Sequence, residues 1–279
     1  MLVANNLYGA QKIADFLASL IGEENVFLFP VDDLLRNDLL TASKELLAQR
    51  LFVLNQSLYL KKRIIVTHTS ALLTPLPDPY EFKKATFEVR VGDSINLNEF
   101  KTQLVKAGYS QVNKIDQTLQ FASRGDILDI YPVSTDSPIR IEFFGDNVES
   151  IATFDVATQK SSHQIDEVIF PPANDCLFSD EEIKNFKINL GAQVHRDSEH
   201  LDEDRHTLLR QNSDLDYEII ESRAFTPKQY KYFGFIKDKT SSIVDYFCPS
   251  ITFICNRKQF NTFTIAARIT IIGAIRRKT

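Results

Sequence analysis

Glycine is scarce in this chain, and its scarcity excludes several classes of site. There are 9 glycines among 279 residues, about 3% against a usual value of about 7%. The two closest, Gly9 and Gly22, are 13 positions apart (22 minus 9), so G-x-x-x-x-G-K-[ST], G-x-G-x-x-G and G-x-S-x-G are all absent. Phosphate-binding loops need clustered glycines because their backbone N–H groups must approach the phosphates closely. We therefore expect no nucleotide cofactor and no catalytic activity of this chain.

Cysteine and long apolar runs are also scarce. The 3 cysteines form no C-x-x-C pair, which argues against a disulfide framework and against a cysteine-based zinc site. The N-terminal residues show no basic segment followed by an apolar one, and no apolar run approaches the roughly 18 residues of a membrane span. We expect a cytoplasmic protein with no membrane partner.

The overall composition is that of a globular chain. Hydrophobic residues make up 43% and charged residues 25%, which supports a real core in about two domains. The formal net charge of −5 argues against a surface that binds nucleic acid over its whole extent, although a local basic patch would be compatible with it.

The first third of the chain has an α/β pattern. Short apolar segments at Leu2–Ala4, Val26–Phe29 and 63–67 predict strands, and helical periodicity lies between them. The second of these helices is predicted to begin at a Thr41 cap and to end near Leu51. Strands that alternate with helices indicate a parallel sheet covered on both faces. The proline-rich segment 74–79 is a candidate domain boundary.

The middle of the chain has a different pattern. Alternating segments at 85–91, 121–131, 138–144 and 148–154, with one helix near 97–107, predict an antiparallel sheet in an inserted α+β domain. From about 168 the pattern is mixed and polar. We divide the chain into an α/β part, the α+β domain, a second part that packs with the first, and a basic tail that is not integrated into the core. Their expected bounds are 1–83, 84–167, 168–255 and 256–279.

Histidines 195, 200 and 206 stand in a dense run of charged residues. Imidazole and carboxylate groups are common metal ligands. The spacings of 5 and 6 do not place these histidines on one helical face, which needs about 3 or 4. The pattern favours a solvated charged segment, and we predict no structural metal there.

The segment Pro138–Phe144 carries the clearest candidate interface. In a strand, Arg140 and Phe144 lie on one face, while Ile141 and Phe143 lie on the other. If Ile141 and Phe143 face the core, an aromatic ring and a guanidinium are left on the outer face, and these groups often dominate binding energy. Arg124 lies in the preceding strand, and a hairpin would bring it close. The alternative is that Phe144 packs under a neighbouring element.

A family resemblance covers the same region. Residues 106–161 read KAGYSQVNKIDQTLQFASRGDILDIYPVSTDSPIRIEFFGDNVESIATFDVATQKS. This segment resembles the second domain of the bacterial transcription-repair coupling factors (Mfd), whose pattern includes RG-x-ILD, RIEFFGDE and FD-x-x-[TS]-QRS. Weaker similarity extends over about residues 1–250. The family's Gly-Glu is replaced here by Leu119-Gln120, and its arginine after the glutamine is Lys160.

The resemblance implies a fold and a partner. The fold would be a UvrB-like module, a parallel-sheet α/β unit interrupted by the α+β domain, in a chain that corresponds to part of a longer protein. UvrA would dock on the inserted domain through Arg124, Arg140 and Phe144. The family's RNA-polymerase-binding region and ATP-dependent DNA translocase motor have no counterpart here, so RNA polymerase and DNA would be partners only through regions outside this chain.

The UvrB helicase subunit is the rival family, because it shares the three-part module. That family carries a tyrosine-rich hairpin and an intact phosphate-binding loop. Only Val31–Leu40 separates Phe29-Pro30 from the Thr41 helix, and these residues contain no tyrosine and are too few for the hairpin. The sequence therefore favours a binding module of the coupling-factor type, with a fragment of a UvrB-type helicase subunit as the alternative.

Overall fold

The computed structural model describes residues 1–31, 43–59, 63–199, 202–223, 226, 228–249 and 251–255. Within these ranges the chain contains nine α-helices and twelve β-strands. The helices are α1 (Leu7–Ile21), α2 (Lys44–Tyr59), α3 (Thr69–Leu73), α4 (Pro79–Lys84), α5 (Leu97–Lys106), α6 (Asp180–Ser198), α7 (Glu203–Glu221), α8 (Lys228–Ile236) and α9 (Ile243–Phe247). The strands are β1 (Leu2–Ala4), β2 (Val26–Leu28), β3 (Ile64–His68), β4 (Phe87–Arg90), β5 (Ser110–Gln111), β6 (Gln120–Arg124), β7 (Ile127–Tyr131), β8 (Ile139–Phe144), β9 (Asn147–Phe154), β10 (Ser161–Gln164), β11 (Glu167–Phe170) and β12 (Phe253–Ile254). Among the helices of the described ranges, none is long and apolar enough to cross a bilayer.

A four-stranded parallel sheet forms the first unit, as the alternating pattern predicts. Its strand order is β12-β1-β3-β2. Neighbouring residues of β3 point to opposite faces, so Val66 packs with the buried face of α1 and Ile65 packs with the cluster that contains α2. Helices therefore cover the sheet on both sides. Because β12 pairs with β1, the last part of the described chain completes the sheet that the first part begins.

The helix predicted to begin at a Thr41 cap has different bounds in the structure. Thr41 lies outside the described residues. The Ser43 hydroxyl accepts a hydrogen bond from the Leu46 backbone N–H at 3.2 Å, which is the geometry of an N-terminal cap. The helix then continues to Tyr59, beyond the predicted end at Leu51, because Val53, Leu54 and their neighbours add to its buried face.

The inserted region has a six-stranded sheet in the order β10-β9-β8-β7-β6-β5. All pairings are antiparallel except that of β5 with β6. Segment 121–131, which alternates throughout in the sequence, is a hairpin that turns at Gly125-Asp126. Helix α5 packs on the inner face of the sheet through Phe100 and Leu104. Strands β4 and β11, which lead into and out of this region, pair with each other.

The third part of the chain is mainly helical, which the mixed polar pattern does not indicate. Helix α6 begins with a capping box in which Ser179 and Glu182 exchange side-chain to backbone hydrogen bonds. Its buried residues Ile183 and Phe186 lie three positions apart on one face. They pack with Ile220 of α7 in a separate cluster. Most of the surface of these two helices is polar or charged, so their narrow apolar stripe gives only a weak periodic pattern in the sequence.

A buried ionic network joins the first and third parts of the chain. The Arg50 side chain on α2 is 2% exposed, and its Nε donates to Asp175 Oδ2 at 2.8 Å. Arg50 Nη2 also donates to the Tyr230 hydroxyl of α8 at 2.6 Å, and that hydroxyl donates to Asp175 Oδ1 at 2.5 Å. Asp175 lies in the segment that follows the inserted region. A single carboxylate therefore connects α2, this segment and α8.

Asp175→Asn is expected to lower the free energy of unfolding by about 3–5 kcal/mol, because it leaves the buried Arg50 guanidinium without its counter-charge. The measurement is equilibrium urea unfolding followed by circular dichroism. Asp136→Asn removes an exposed carboxylate and is the matched control, with an expected change below about 0.5 kcal/mol. Equal effects of the two substitutions would contradict a stabilising role of the network.

Leu119 occupies a backbone conformation that favours glycine, the residue of the family pattern at this position. Its φ is 66°, and its side chain is buried in the core with 6% exposure. Its N–H donates to the Tyr131 carbonyl at 2.8 Å, and its carbonyl accepts from the Ser110 N–H at 2.9 Å. These two backbone hydrogen bonds hold Leu119 in the left-handed conformation.

Leu119→Ala and Leu119→Gly are both expected to be destabilising, since each removes a buried side chain. The glycine variant should be the more stable of the two by about 1 kcal/mol, because only glycine adopts a positive φ without strain. Thermal and urea unfolding of the pair measure this difference. If the alanine variant is the more stable, the left-handed conformation at 119 carries no strain.

Candidate partner-binding face

The side chains of β8 alternate between the core and the outer face of the sheet, as the sequence predicts. Ile139 and Ile141 are 0% exposed and Phe143 is 4% exposed. Phe144, by contrast, is 77% exposed. The predicted separation of Ile141 and Phe143 from Phe144 is therefore confirmed, and Phe144 does not pack under a neighbouring element of the described chain.

Arg124 lies on the same face as Phe144. It pairs with Ile127 across the first hairpin, and Ile127 pairs with Glu142 of β8. Directly paired residues of an antiparallel sheet point to the same side, and Glu142 shares its side with Phe144 two positions on. Arg124 is exposed, and its side chain makes no hydrogen bond or ion pair within the described ranges. Its guanidinium is thus available to a partner.

Two tight turns, Gly125-Asp126 and Gly145-Asp146, lie at the end of the sheet where Arg124 and Phe144 are exposed. In each turn the first of the two loop residues is a glycine with a positive φ, 60° at Gly125 and 62° at Gly145. Two-residue hairpin loops that begin with a positive φ favour glycine at that position. The Asp126 carbonyl accepts from the Phe143 N–H at 2.9 Å. The Asp146 carbonyl accepts from the Ile95 N–H at 2.6 Å. Both turns are anchored, so Phe144 is presented on a fixed backbone.

Arg140 lies on the outer face but is not free. Its Nε and Nη2 donate to Asp129 Oδ1 and Oδ2 at 2.8 and 2.9 Å. Its Nη1 donates to the Gln159 carbonyl at 3.1 Å, and its guanidinium carbon lies 4.6 Å from the centroid of the Phe154 ring. The hydrogen bonds to Asp129 raise the pKa of Arg140 above its ordinary value, and the side chain is 18% exposed. Arg140 thus contributes to the sheet as well as to its surface.

A small apolar cluster covers the other end of the outer face. Ile115, Ala122 and Phe154 are buried there, with Val112 and Tyr131 packed against them. The sequence pattern does not predict this cluster, although the alternation that places Ile141 inside also places Ala122 outside. The open part of the face is therefore the end near the two turns, where Arg124, Glu142 and Phe144 are exposed.

This open part exposes side chains of three chemical types. It combines an aromatic ring, a free guanidinium and one carboxylate, Glu142, whose Oε2 accepts from the Ser150 hydroxyl at 3.0 Å. Aromatic and arginine side chains are enriched at the centres of protein interfaces. The arrangement offers partner contacts on a rigid sheet.

The histidines of the charged run lie on two helices. His195 of α6 and His206 of α7 line a groove of about 370 Å³ together with Lys187 and Arg210, while residue 200 lies outside the described residues. In the part of the chain that the structure describes, no three His, Cys, Asp or Glu residues are grouped so that they could hold a metal ion. The absence of a structural metal stays a prediction.

Comparison with known proteins gives a family for the inserted region and relatives for most of the chain. Residues 87–176 match the family described as the UvrB interaction domain. A transcription-repair-coupling factor of Bacillus subtilis (strain 168) is 30% identical over 246 residues, which are 88% of this chain and 21% of that protein. One of Staphylococcus haemolyticus (strain JCSC1435) is 28% identical over 258 residues, 92% of this chain and 22% of that protein. The chain thus spans about a fifth of the length of these curated relatives.

Truncations along β8 should separate the core face from the outer face. Ile141→Ala and Phe143→Ala are expected to lower the free energy of unfolding by about 2–5 kcal/mol, and Phe144→Ala by less than about 0.5 kcal/mol. Arg140→Ala should cost about 1–3 kcal/mol, because Asp129 loses its hydrogen-bond donors. The outward position of Arg140 in the strand pattern predicts little effect of Arg140→Ala on the free energy of unfolding. The hydrogen bonds of Arg140 with Asp129 revise that expectation. Urea unfolding measures all four variants. A large loss for Phe144→Ala with none for Phe143→Ala would mean that the two faces are exchanged.

Proposed function

We propose that this chain, which is homologous to the N-terminal region of the transcription-repair-coupling factors, is the module through which such a factor recruits UvrA in transcription-coupled nucleotide-excision repair. In this proposal UvrA docks on the outer face, with Phe144 and Arg124 of the open part as the apolar anchor and a cationic contact, and with Arg140 on the same face as the second cationic contact. The module binds and positions a partner, with no nucleotide cofactor and no chemical step of its own.

The observation that carries this proposal is the exposure of Phe144. A large aromatic side chain that is 77% exposed beside an anchored turn is costly to leave in water, and Phe144 lies inside the range that matches the UvrB interaction domain. The free guanidinium of Arg124 on the same face adds the second residue type that is typical of binding hot spots. Partner binding would bury both groups.

The proposed division of labour follows the chain order. The region 84–167 would be the docking unit, and 1–83 and 168–255 would form the α/β unit that carries it. RNA polymerase and DNA would be engaged by parts of the coupling factor that have no counterpart in this chain. The basic tail, 256–279, lies outside the described residues and has no role in the proposal.

The description of the matched family names UvrB, whereas the sequence resemblance implies UvrA. We favour UvrA because, of the three residues that the resemblance associates with docking, Arg124 and Phe144 lie on the open part of the outer face and Arg140 lies on the same face. Binding experiments with purified UvrA and purified UvrB in parallel discriminate between the two partners.

Phe144→Ala and Arg124→Ala are each expected to weaken UvrA binding by about 1–3 kcal/mol, the range for truncation of an interface residue. The Arg124 contribution should decrease with added salt, because screening weakens exposed charge contacts, and the Phe144 contribution should not. Isothermal titration calorimetry with the full chain measures both effects.

Two exposed residues elsewhere provide matched controls. Phe16 of α1 is 63% exposed, and the Arg205 side chain of α7 is 74% exposed. Phe16→Ala and Arg205→Ala should bind UvrA like the unchanged chain. If these controls weaken binding and Phe144→Ala does not, the docking face is wrong. If UvrB binds in a Phe144-dependent manner and UvrA does not, the face is right and the partner is wrong.

A further inference from the structure

We infer that Asp129 is a positioning residue for partner binding: with the Gln159 carbonyl and the Phe154 ring it forms a socket that holds Arg140 in one geometry, so that its remaining N–H groups can receive a carboxylate of the partner. This inference rests on the proposed docking function. It assigns a role to three residues that neither the sequence motif nor the matched family identifies with binding.

Three separate elements build the socket. Asp129 comes from β7 and is the direct cross-strand neighbour of Arg140. Phe154 is the last residue of β9, and Gln159 lies in the turn that follows it. An arginine side chain that contacts all three loses most of its rotamer freedom before any partner arrives. The entropy that an exposed arginine would lose on binding is therefore already lost in the free protein.

The turn after β9 holds the Gln159 carbonyl in position to accept the hydrogen bond from Arg140. The φ of Gln159 is 61°, a left-handed conformation that is unfavourable for a residue with a side chain. Its N–H donates to the Asp155 carbonyl at 2.7 Å, and its Nε2 donates to the Val156 carbonyl at 2.7 Å. These bonds keep the turn closed and leave the Gln159 carbonyl to accept from Arg140. Strained backbone that the surroundings maintain is often found at functional sites.

The hydrogen bonds of Arg140 also indicate the chemistry of its ligand. A guanidinium has five N–H donors, and three of them bond to Asp129 and Gln159. The other two have no hydrogen-bond partner within the described ranges, and the side chain keeps 18% exposure. Planar N–H donors match a carboxylate. With Arg124 on the same face, the surface fits an acidic patch of the partner that surrounds a pocket for Phe144.

Glu142 offers a matched control for Asp129. Both carboxylates lie on the outer face of neighbouring strands, and neutralising either one changes the charge of the face by the same amount. Only Asp129 is hydrogen-bonded to Arg140, because Glu142 accepts from Ser150 instead. A purely electrostatic role would make Asp129→Asn and Glu142→Gln equivalent, and a positioning role would not.

The test is UvrA affinity for full-length variants of this chain, measured by calorimetry at a temperature where each is folded. Asp129→Asn is expected to weaken binding about tenfold, the size of a lost charge-assisted hydrogen bond, whereas Glu142→Gln should bind equally or more tightly.

Further variants test the geometry of the guanidinium. Arg140→Lys should bind as weakly as Arg140→Ala, since an ammonium does not reproduce the planar, forked set of N–H donors. In the Asp129→Asn background, Arg140→Ala should cause little further loss. If Asp129→Asn does not fold, Asp129→Glu, which displaces the carboxylate by one methylene, should show the same loss.

Equal effects of Asp129→Asn and Glu142→Gln would overturn the inference. So would independent, additive losses from Asp129→Asn and Arg140→Ala, or full affinity in a folded Asp129→Asn variant that is merely less stable. These outcomes are distinct from failure of the proposed function, in which Phe144→Ala would also leave binding unchanged.

Discussion

Three side chains of β8, Ile139, Ile141 and Phe143, are buried beneath the inserted sheet, and their burial determines the register of the strand. Because side chains alternate with a period of two, a slip of one residue would exchange the two faces. It would expose these three apolar groups, each of which contributes roughly 1.5–3 kcal/mol through burial. It would also place Glu142 in an apolar core, at a high desolvation cost. The exposure of Phe144 is therefore a consequence of the packing on the opposite side of the same strand.

The rest of the structure makes this face rigid and keeps it in place. Both turns at its edge are hydrogen-bonded to neighbouring segments, and β4 and β11 leave the inserted region as one antiparallel pair. Asp175 connects α2 to α8 through Arg50 and Tyr230. Lys237, buried between Glu81 and Glu182, adds a second ionic connection between the first and third parts. A partner would thus meet a surface on which the backbone and the Arg140 side chain are already held by hydrogen bonds, which limits the entropy lost on association.

Much of the architecture could be predicted from the sequence, because it follows from short-range periodicity. The parallel and antiparallel units follow from their helix and strand patterns, and the outward position of Phe144 follows from the alternation of Ile141 and Phe143. The pairing of Asp129 with Arg140 could not be predicted, since the register between two strands is a tertiary property. The helices from α6 onward could not be predicted from the sequence pattern, because apolar residues such as Ile183 and Phe186 occupy a narrow stripe in a polar sequence. The contacts of Arg140 are the main addition that the structure makes to the site.

The central claim, that UvrA binds the open part of the outer face, is tested most directly by hydrogen–deuterium exchange of this chain with and without UvrA. Binding on this face predicts slower exchange in peptides covering 124–127 and 140–147, and unchanged exchange in α6 and α7. Protection of α1 or of the α6–α7 pair, with none at the two turns, would contradict the claim. It would move the binding site to another surface of the molecule.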